Sequence, residues 1–418
     1  MKLTPFLCAV LFASCGLASA QHAATVPTSL ATLLVEAEAS NSQVQAADDT
    51  WKALAHVSQQ VSAFPAPEFA IQSSSAGSPR PFAGFSNSEF AYLGLSASQD
   101  IPYPGKLKLR SEVADREMEA QKADADAVRA SVAEQVKLLY LQISYSNAQT
   151  AYLDREDSLL QSLIKDALAR YSLGKGSQSA ILRAQMERTR LLREDTMHKL
   201  DLGQAQARLK QLVHRRQDSP DILPDPLAAT PFTADPDELE SQLRTRNATL
   251  ESDAGVVEKQ KAQLASAKRE GKPDFNVTYG VELTGEGYRN RYLLSANVRL
   301  PNRGRVAGEI AQAAEQANRA MHVMDSDVQQ KLAELQEQLV AVKGTDESLR
   351  ELKDGLIPQA EALFHSEESA YQSNNQELAP VLSALLDILT LESEYQQTLL
   401  DHESALARIE TLTGGTLR

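Results

Sequence analysis

Apolar and polar residues alternate with a period of two along two neighbouring stretches of the chain. Phe275, Val277, Tyr279, Val281 and Leu283 interleave with Asn276, Thr278, Gly280, Glu282 and Thr284. After Gly285-Glu286-Gly287, Tyr292, Leu294, Ala296, Val298 and Leu300 interleave with Leu293, Ser295, Asn297 and Arg299. A period of two sends successive side chains to opposite faces, so the pattern predicts a β-hairpin over about 275–300. Each arm has the roughly 9 to 11 residues that a tilted strand needs to cross a bilayer in a barrel. On that reading Asn276, Thr278 and Glu282 face a lumen, while Tyr279, Val281, Leu294 and Val298 meet lipid. A first, less regular hairpin is predicted over about 68–101, where Leu93, Leu95, Ala97 and Ile101 share a face and Phe69 and Ile71 begin the partner strand. Half of the aromatic residues fall within 64–103 and 275–292, as an interfacial girdle would place them.

Elsewhere the apolar period lengthens to that of a helix. Val132, Val136, Leu139 and Ile143, spaced four, three and four, give a coiled-coil seam. Ile388, Leu391, Tyr395, Leu399, Leu406 and Ile409 form one stripe, which includes His402. Long helices are predicted over about 106–171, 178–215, 303–371 and 379–414. The first would span ~99 Å at ~1.5 Å per residue. No proline interrupts Gly105 to Ser219, whereas Gly344 and Pro358 predict a break or kink in the third helix.

The chain is written twice. Pro67-Glu68-Phe69-Ala70-Ile71 recurs as Pro273-Asp274-Phe275-Asn276-Val277, and Asn41 as Asn247, at an offset of 206. Leu95-Ser96-Ala97, Pro102 and Gly105 recur as Leu294-Ser295-Ala296, Pro301 and Gly304 at an offset of 199. Tyr171, Ile181, Leu182 and Ala184 recur as Tyr371, Val381, Leu382 and Ala384 at an offset of 200. The change from 206 to 199 places a length difference within 73–89, a Ser-, Gly- and Pro-rich loop. The predicted organisation is a first repeat over 21–215 and a second over 237–418. Between them lies a linker over 216–236 that holds five prolines.

Composition narrows the function. A formal net charge of −14 removes the electrostatic footprint of phosphate-backbone binding, so no nucleic-acid partner is expected. Lys2, the apolar run from Leu3 to Ala13 and Ala18-Ser19-Ala20 predict a signal peptide over 1–20. Cleavage after Ala20 would leave no cysteine; the alternative is a lipoprotein cut before Cys15, which would then be lipidated. No later stretch reaches the ~18 apolar residues of a spanning helix. The seven histidines lack metal-site spacing, and neither a phosphate-binding glycine loop nor a nucleophile elbow is found. Catalytic residues, metal ligands and cofactors are therefore not expected.

The duplicated unit of strand hairpin and long helical pair, with the tip Ala169-Arg170-Tyr171-Ser172-Leu173-Gly174, resembles the TolC family of outer-membrane efflux proteins. An aromatic residue, two residues, Gly, then a helix with a Leu or β-branched pair and Ala is the family's tip pattern, here Tyr171, Gly174, Ile181, Leu182 and Ala184. The segment from Ser98 to Lys106 resembles the cation and heavy-metal branch. The resemblance implies a mixed α/β membrane protein, a homotrimer whose twelve-stranded outer-membrane β-barrel continues as a periplasmic α-helical barrel. Four strands alone cannot close a barrel, which independently requires association.

The resemblance further implies an exit channel fed by an inner-membrane pump, often of the resistance-nodulation-division class, through a periplasmic adaptor protein. Tips at Tyr171, Leu173, Gly174, Tyr371 and Asn374 would dock that adaptor. The family's acidic entrance ring does not transfer, because Pro380 and Ser383 stand at its positions. Asp387, one turn beyond Ser383, and its counterpart Glu187 are the substitutes that spacing offers. Drug efflux and type I secretion are alternative uses of such a duct. A soluble periplasmic coiled-coil scaffold is the alternative of another class.

Overall fold

The computed structural model describes residues 28–85, 88–285, 289–373 and 377–415. The predicted signal peptide, Cys15 and Asn374 lie outside these residues. The first half runs α1 (Leu30–Ser40), α2 (Ser42–Leu54), α3 (Val57–Ser62), β1 (Glu68–Ser74), β2 (Tyr92–Ile101), α4 (Lys106–Ser172) and α5 (Gln178–Leu212). The second half runs α6 (Pro236–Arg246), α7 (Ala248–Glu270), β3 (Asp274–Thr284), β4 (Arg291–Arg299), α8 (Arg303–Arg350), α9 (Ile357–Gln372) and α10 (Leu378–Thr413).

The repeat is visible in the packing. One core gathers Leu33, Ala37, Val44, Val136, Tyr140, Ile143, Ala205, Leu209 and Leu212. Another gathers Leu239, Leu243, Leu250, Leu335, Leu339, Val342, Ala405, Ile409 and Leu412, the same positions one repeat later. Buried Asn41 and Asn247 do the same work in each. Each accepts backbone N–H bonds at the start of its helix, and its Nδ2 donates 2.9 Å to the carbonyl of Leu212 or Leu412 respectively. An amide that both caps one helix and satisfies the frayed end of another fixes their mutual position.

The third long helix is interrupted by a π-helical turn, Glu351–Leu356, immediately before Pro358 near the start of α9. Gly344, by contrast, is carried through α8 without a break. A π turn holds one residue more than an α turn, which accounts for the step in repeat offset from 199 to 200. The missing N–H of Pro358 is tolerated where the bonding ladder is already displaced.

The proline-rich segment is an ordered strap along the helices. Gln206 bonds both backbone groups of Ile222, at 2.7 and 3.0 Å, and Ser144 Oγ donates to the Asp225 carbonyl at 2.7 Å. Glu403 Oε1 accepts from Thr230 N–H at 2.7 Å, and buried His402 Nε2 donates to the Thr230 carbonyl at 2.9 Å. A segment rich in proline cannot form a ladder of its own, so helix side chains satisfy its backbone.

The strands form one antiparallel sheet in the order β1-β2-β3-β4, with the two repeats joined between β2 and β3. β1 and β4 are its edges, and among the described residues no strand pairs with their outer sides.

Candidate channel-forming sheet and helical tips

Register decides which side chains share a face of the sheet. Tyr279 stands opposite Ala97 and Leu294, Val281 opposite Leu95 and Tyr292, and Phe275 opposite Ile101 and Val298. Ile71 opposite Leu95 and Phe69 opposite Ala97 extend this apolar face to β1. The other face carries Asn276 opposite Asp100 and Asn297, Thr278 opposite Ser98 and Ser295, and Glu282 opposite Gly94 and Arg291. The polar face is bonded across strands: Asn276 Nδ2 donates to Asp100 Oδ1 at 2.9 Å, and Arg291 pairs with Glu282 at 2.9 Å. On the apolar face Phe69, Ile71, Tyr279, Tyr292, Leu294 and Val298 are exposed. Among the described residues no helix covers it, so burial against something else is what this face lacks.

At the first tip, Gly174 has φ +75° and ends α4 with two bonds, Lys175 N–H to the Arg170 carbonyl and Gly174 N–H to that of Tyr171, both 2.9 Å. This is a Schellman closure with glycine at the left-handed position. Gly176 follows at φ +119°, a region open essentially to glycine. Tyr171 and Leu173 are exposed. Tyr371 is not: it lies buried in a core of α4, α5, α9 and α10 residues that includes Leu163, Ala167, Ile181 and Val381. The reason is Arg170, whose guanidinium stacks on the Tyr371 ring. Sequence reasoning gave Arg170 no role; its spacing of four from Asp166, with which it pairs at 2.9 Å, was the available signal.

The two carboxylates singled out for an entrance ring are unequal. Glu187 is held by Arg190 three residues on, at 2.8 Å, whereas Asp387 is exposed and makes no ion pair among the described residues. Deeper in the bundle, the Tyr152 hydroxyl and Glu156 Oε2 are buried with no hydrogen-bond partner among the described residues. Burial raises the Glu156 carboxyl above its ordinary range; Arg155 opposes the shift and Glu392 reinforces it. Among the described residues no helix is long and apolar enough to cross a membrane, and no group of three or more ligating side chains could hold a metal ion.

No protein-family model and no curated protein matches the sequence. Solved structures do match the fold. The outer-membrane channel OprN superposes with a TM-score of 0.80 at 15% identity, over 92% of this chain and 90% of OprN. CusC, described as forming a transmembrane channel, gives 0.78 at 16%, over 94% and 93%. The open state of the Neisseria gonorrhoeae outer-membrane channel MtrE gives 0.76 at 17%, over 93% and 89%. The chain thus has the fold of these outer-membrane channels, the one that its resemblance to the TolC family implies.

Proposed function

We propose that the chain is an outer-membrane exit channel of a tripartite efflux system. Three copies pair β4 of one with β1 of the next into a twelve-stranded barrel whose apolar face meets lipid, and the long helices continue the duct through the periplasm. The chain passes cargo without transforming it, and the energy comes from an inner-membrane pump through a periplasmic adaptor that meets the helical tips. Resemblance of Ser98–Lys106 to the heavy-metal branch makes metal cations the first cargo to try.

The observation that carries this reading is a mismatch between repeats. Leu182 is 57% exposed, whereas its counterpart Leu382 is 2% exposed within the chain. Leu363 is 46% exposed, and its counterpart Leu163 is 8%. Leu163 and Leu382 belong to one core. Surfaces that one repeat buries internally are therefore left open in the other, as expected when the next copy supplies the cover.

The test is a Leu182→Cys, Leu363→Cys pair, which should cross-link neighbouring copies into a trimer ladder in isolated outer membranes. Extraction should require detergent, and migration should shift on heating. A monomer released without detergent, with no intermolecular cross-link, would instead support the periplasmic scaffold.

A further inference from the structure

Where the sheet meets the helices, Gly105 turns the chain at φ +92° into α4. Lys106, the first residue of that helix, is buried with its Nζ 3.1 Å from Glu270 and 2.9 Å from Asp274. Beside it opens a cavity of about 760 Å³ between α4, α7 and the start of α8. Its charges are not balanced. Each lining carboxylate is already bonded to a cation of the wall: Glu270 to Lys106 and Arg110, Asp274 to Lys106, and Glu309 to Arg305 at 2.7 Å. Lys272 is exposed and makes no ion pair among the described residues. Arg299 reaches only Asp100 among the described carboxylates, at 3.9 Å, with its side chain 72% exposed. A chain of net charge −14 thus carries a local positive surplus here.

Strand register says where the cavity opens. Asp274 and Arg299 are direct partners, on the same face as the pairs Asn276–Asn297 and Thr278–Ser295. This is the polar face, opposite Phe275, Val277 and Tyr279. We infer that the cavity is a station for an oxyanionic group, carboxylate or phosphate, of cargo in transit, received by Lys272 and Arg299. The inference rests on the channel reading, in which the polar face lines the lumen, and it selects cargo bearing an anionic group over the bare metal cations that the Ser98–Lys106 resemblance suggests. A phospholipid headgroup offers the same chemistry, but it would approach from the apolar side. In a trimer the two cations become six at one level of a narrow duct, where like charges reinforce one another's field.

The experiment compares wild type with the Lys272→Gln, Arg299→Gln double variant as purified trimers in planar bilayers, with citrate as the probe. The chloride-to-potassium permeability ratio should fall by roughly twofold or more in the variant. The citrate concentration for half-block should rise about tenfold, as expected for lost charge-assisted bonds. A Lys272→Arg, Arg299→Lys variant should keep both properties. An unchanged ratio and unchanged block in the glutamine variant would overturn the station. Loss of co-purified phospholipid phosphorus from that variant, with citrate block intact, would overturn the cargo assignment in favour of a headgroup. If wild type forms no pore at all, the channel reading fails, and citrate calorimetry on the detergent-solubilised protein decides the cavity by itself. Binding that the glutamine variant loses would support an anion site, and no binding to wild type would overturn it.

Discussion

Arg170, near the end of α4, and Tyr371, near the end of α9, lock the two helical tips together. The guanidinium carbon lies 4.1 Å from the ring centroid, and Nη1 donates to the Tyr371 carbonyl at 2.8 Å. Arg170→Ala removes the stacked cation and its hydrogen bond to that carbonyl, a local cost of about 2 kcal/mol. Arg170→Lys retains the charge but not the planar fork, and should rescue only part of it. Hydrogen exchange should show faster opening of the last turn of α9 in Arg170→Ala, with α1 and α2 unaffected. Unchanged protection there would show that the pair does not hold the tip.

The two glycines of the first tip should respond differently to a side chain. A Cβ added at Gly174 would meet nothing within 4 Å, so the penalty is that of the left-handed backbone alone. Gly174→Asn should be tolerated, and Gly174→Val should cost about 1–2 kcal/mol. Gly176→Ala should cost more than Gly174→Ala, because φ +119° lies beyond the left-handed helical region. Thermal unfolding of the trimers would rank these variants. Adaptor binding by Gly174→Val, measured on the folded trimer, tests docking separately: undiminished capture would remove that role from the tip.

Glu156 makes stability depend on pH in a defined direction. Its carboxyl is raised in the folded state, chiefly by burial, so its stabilising protonated form is fully present below the unfolded value of about 4.3 and is lost as pH rises through the folded value. Glu156→Gln mimics the protonated form. It should therefore be more stable than wild type at pH 7, because the amide carries no charge for burial to penalise, and indistinguishable at pH 4. Melting both proteins at the two pH values checks this. A gain that persists at pH 4 would assign the effect to packing instead.

For the entrance, the inequality of the two carboxylates makes a sharper expectation than a ring of six. Asp387→Asn alone should remove most of any cation preference, because Glu187 is already neutralised by Arg190. Glu187→Gln should change the cation-to-anion permeability ratio little. If only the double variant altered that ratio, the Arg190 pairing would be irrelevant in the assembled duct.

The sheet was legible because a period of two is a direct imprint of two unlike environments, and Phe275 to Leu283 keep it without exception. The helices were legible for a similar reason: the absence of proline from Gly105 to Ser219 leaves nothing to stop α4 until Gly174 does. The π turn was encoded too, as the single-residue change of repeat offset, but Gly344 and Pro358 are the louder signals and only Pro358 marks it. The burial of Tyr371 and exposure of Tyr171 could not be read, because repetition makes the two look alike; the difference comes from Arg170, whose counterpart is Ala370. The strap over 216–236 reads as a spacer in composition, and its order depends on distant side chains such as Gln206, Ser144 and Glu403.

The central claim is that one face of the sheet meets lipid and the other a water-filled lumen. The most direct measurement is the yield of conducting trimers in planar bilayers for Val281→Arg beside Thr278→Arg, neighbours on opposite faces of β3. An arginine at the bilayer midplane costs ~2 to 4 kcal/mol on the outer face of a barrel. Val281→Arg should therefore abolish or sharply reduce conducting trimers, while Thr278→Arg should give wild-type yield with an altered conductance. Equal yields from the two variants, or no conductance from wild type, would contradict the account.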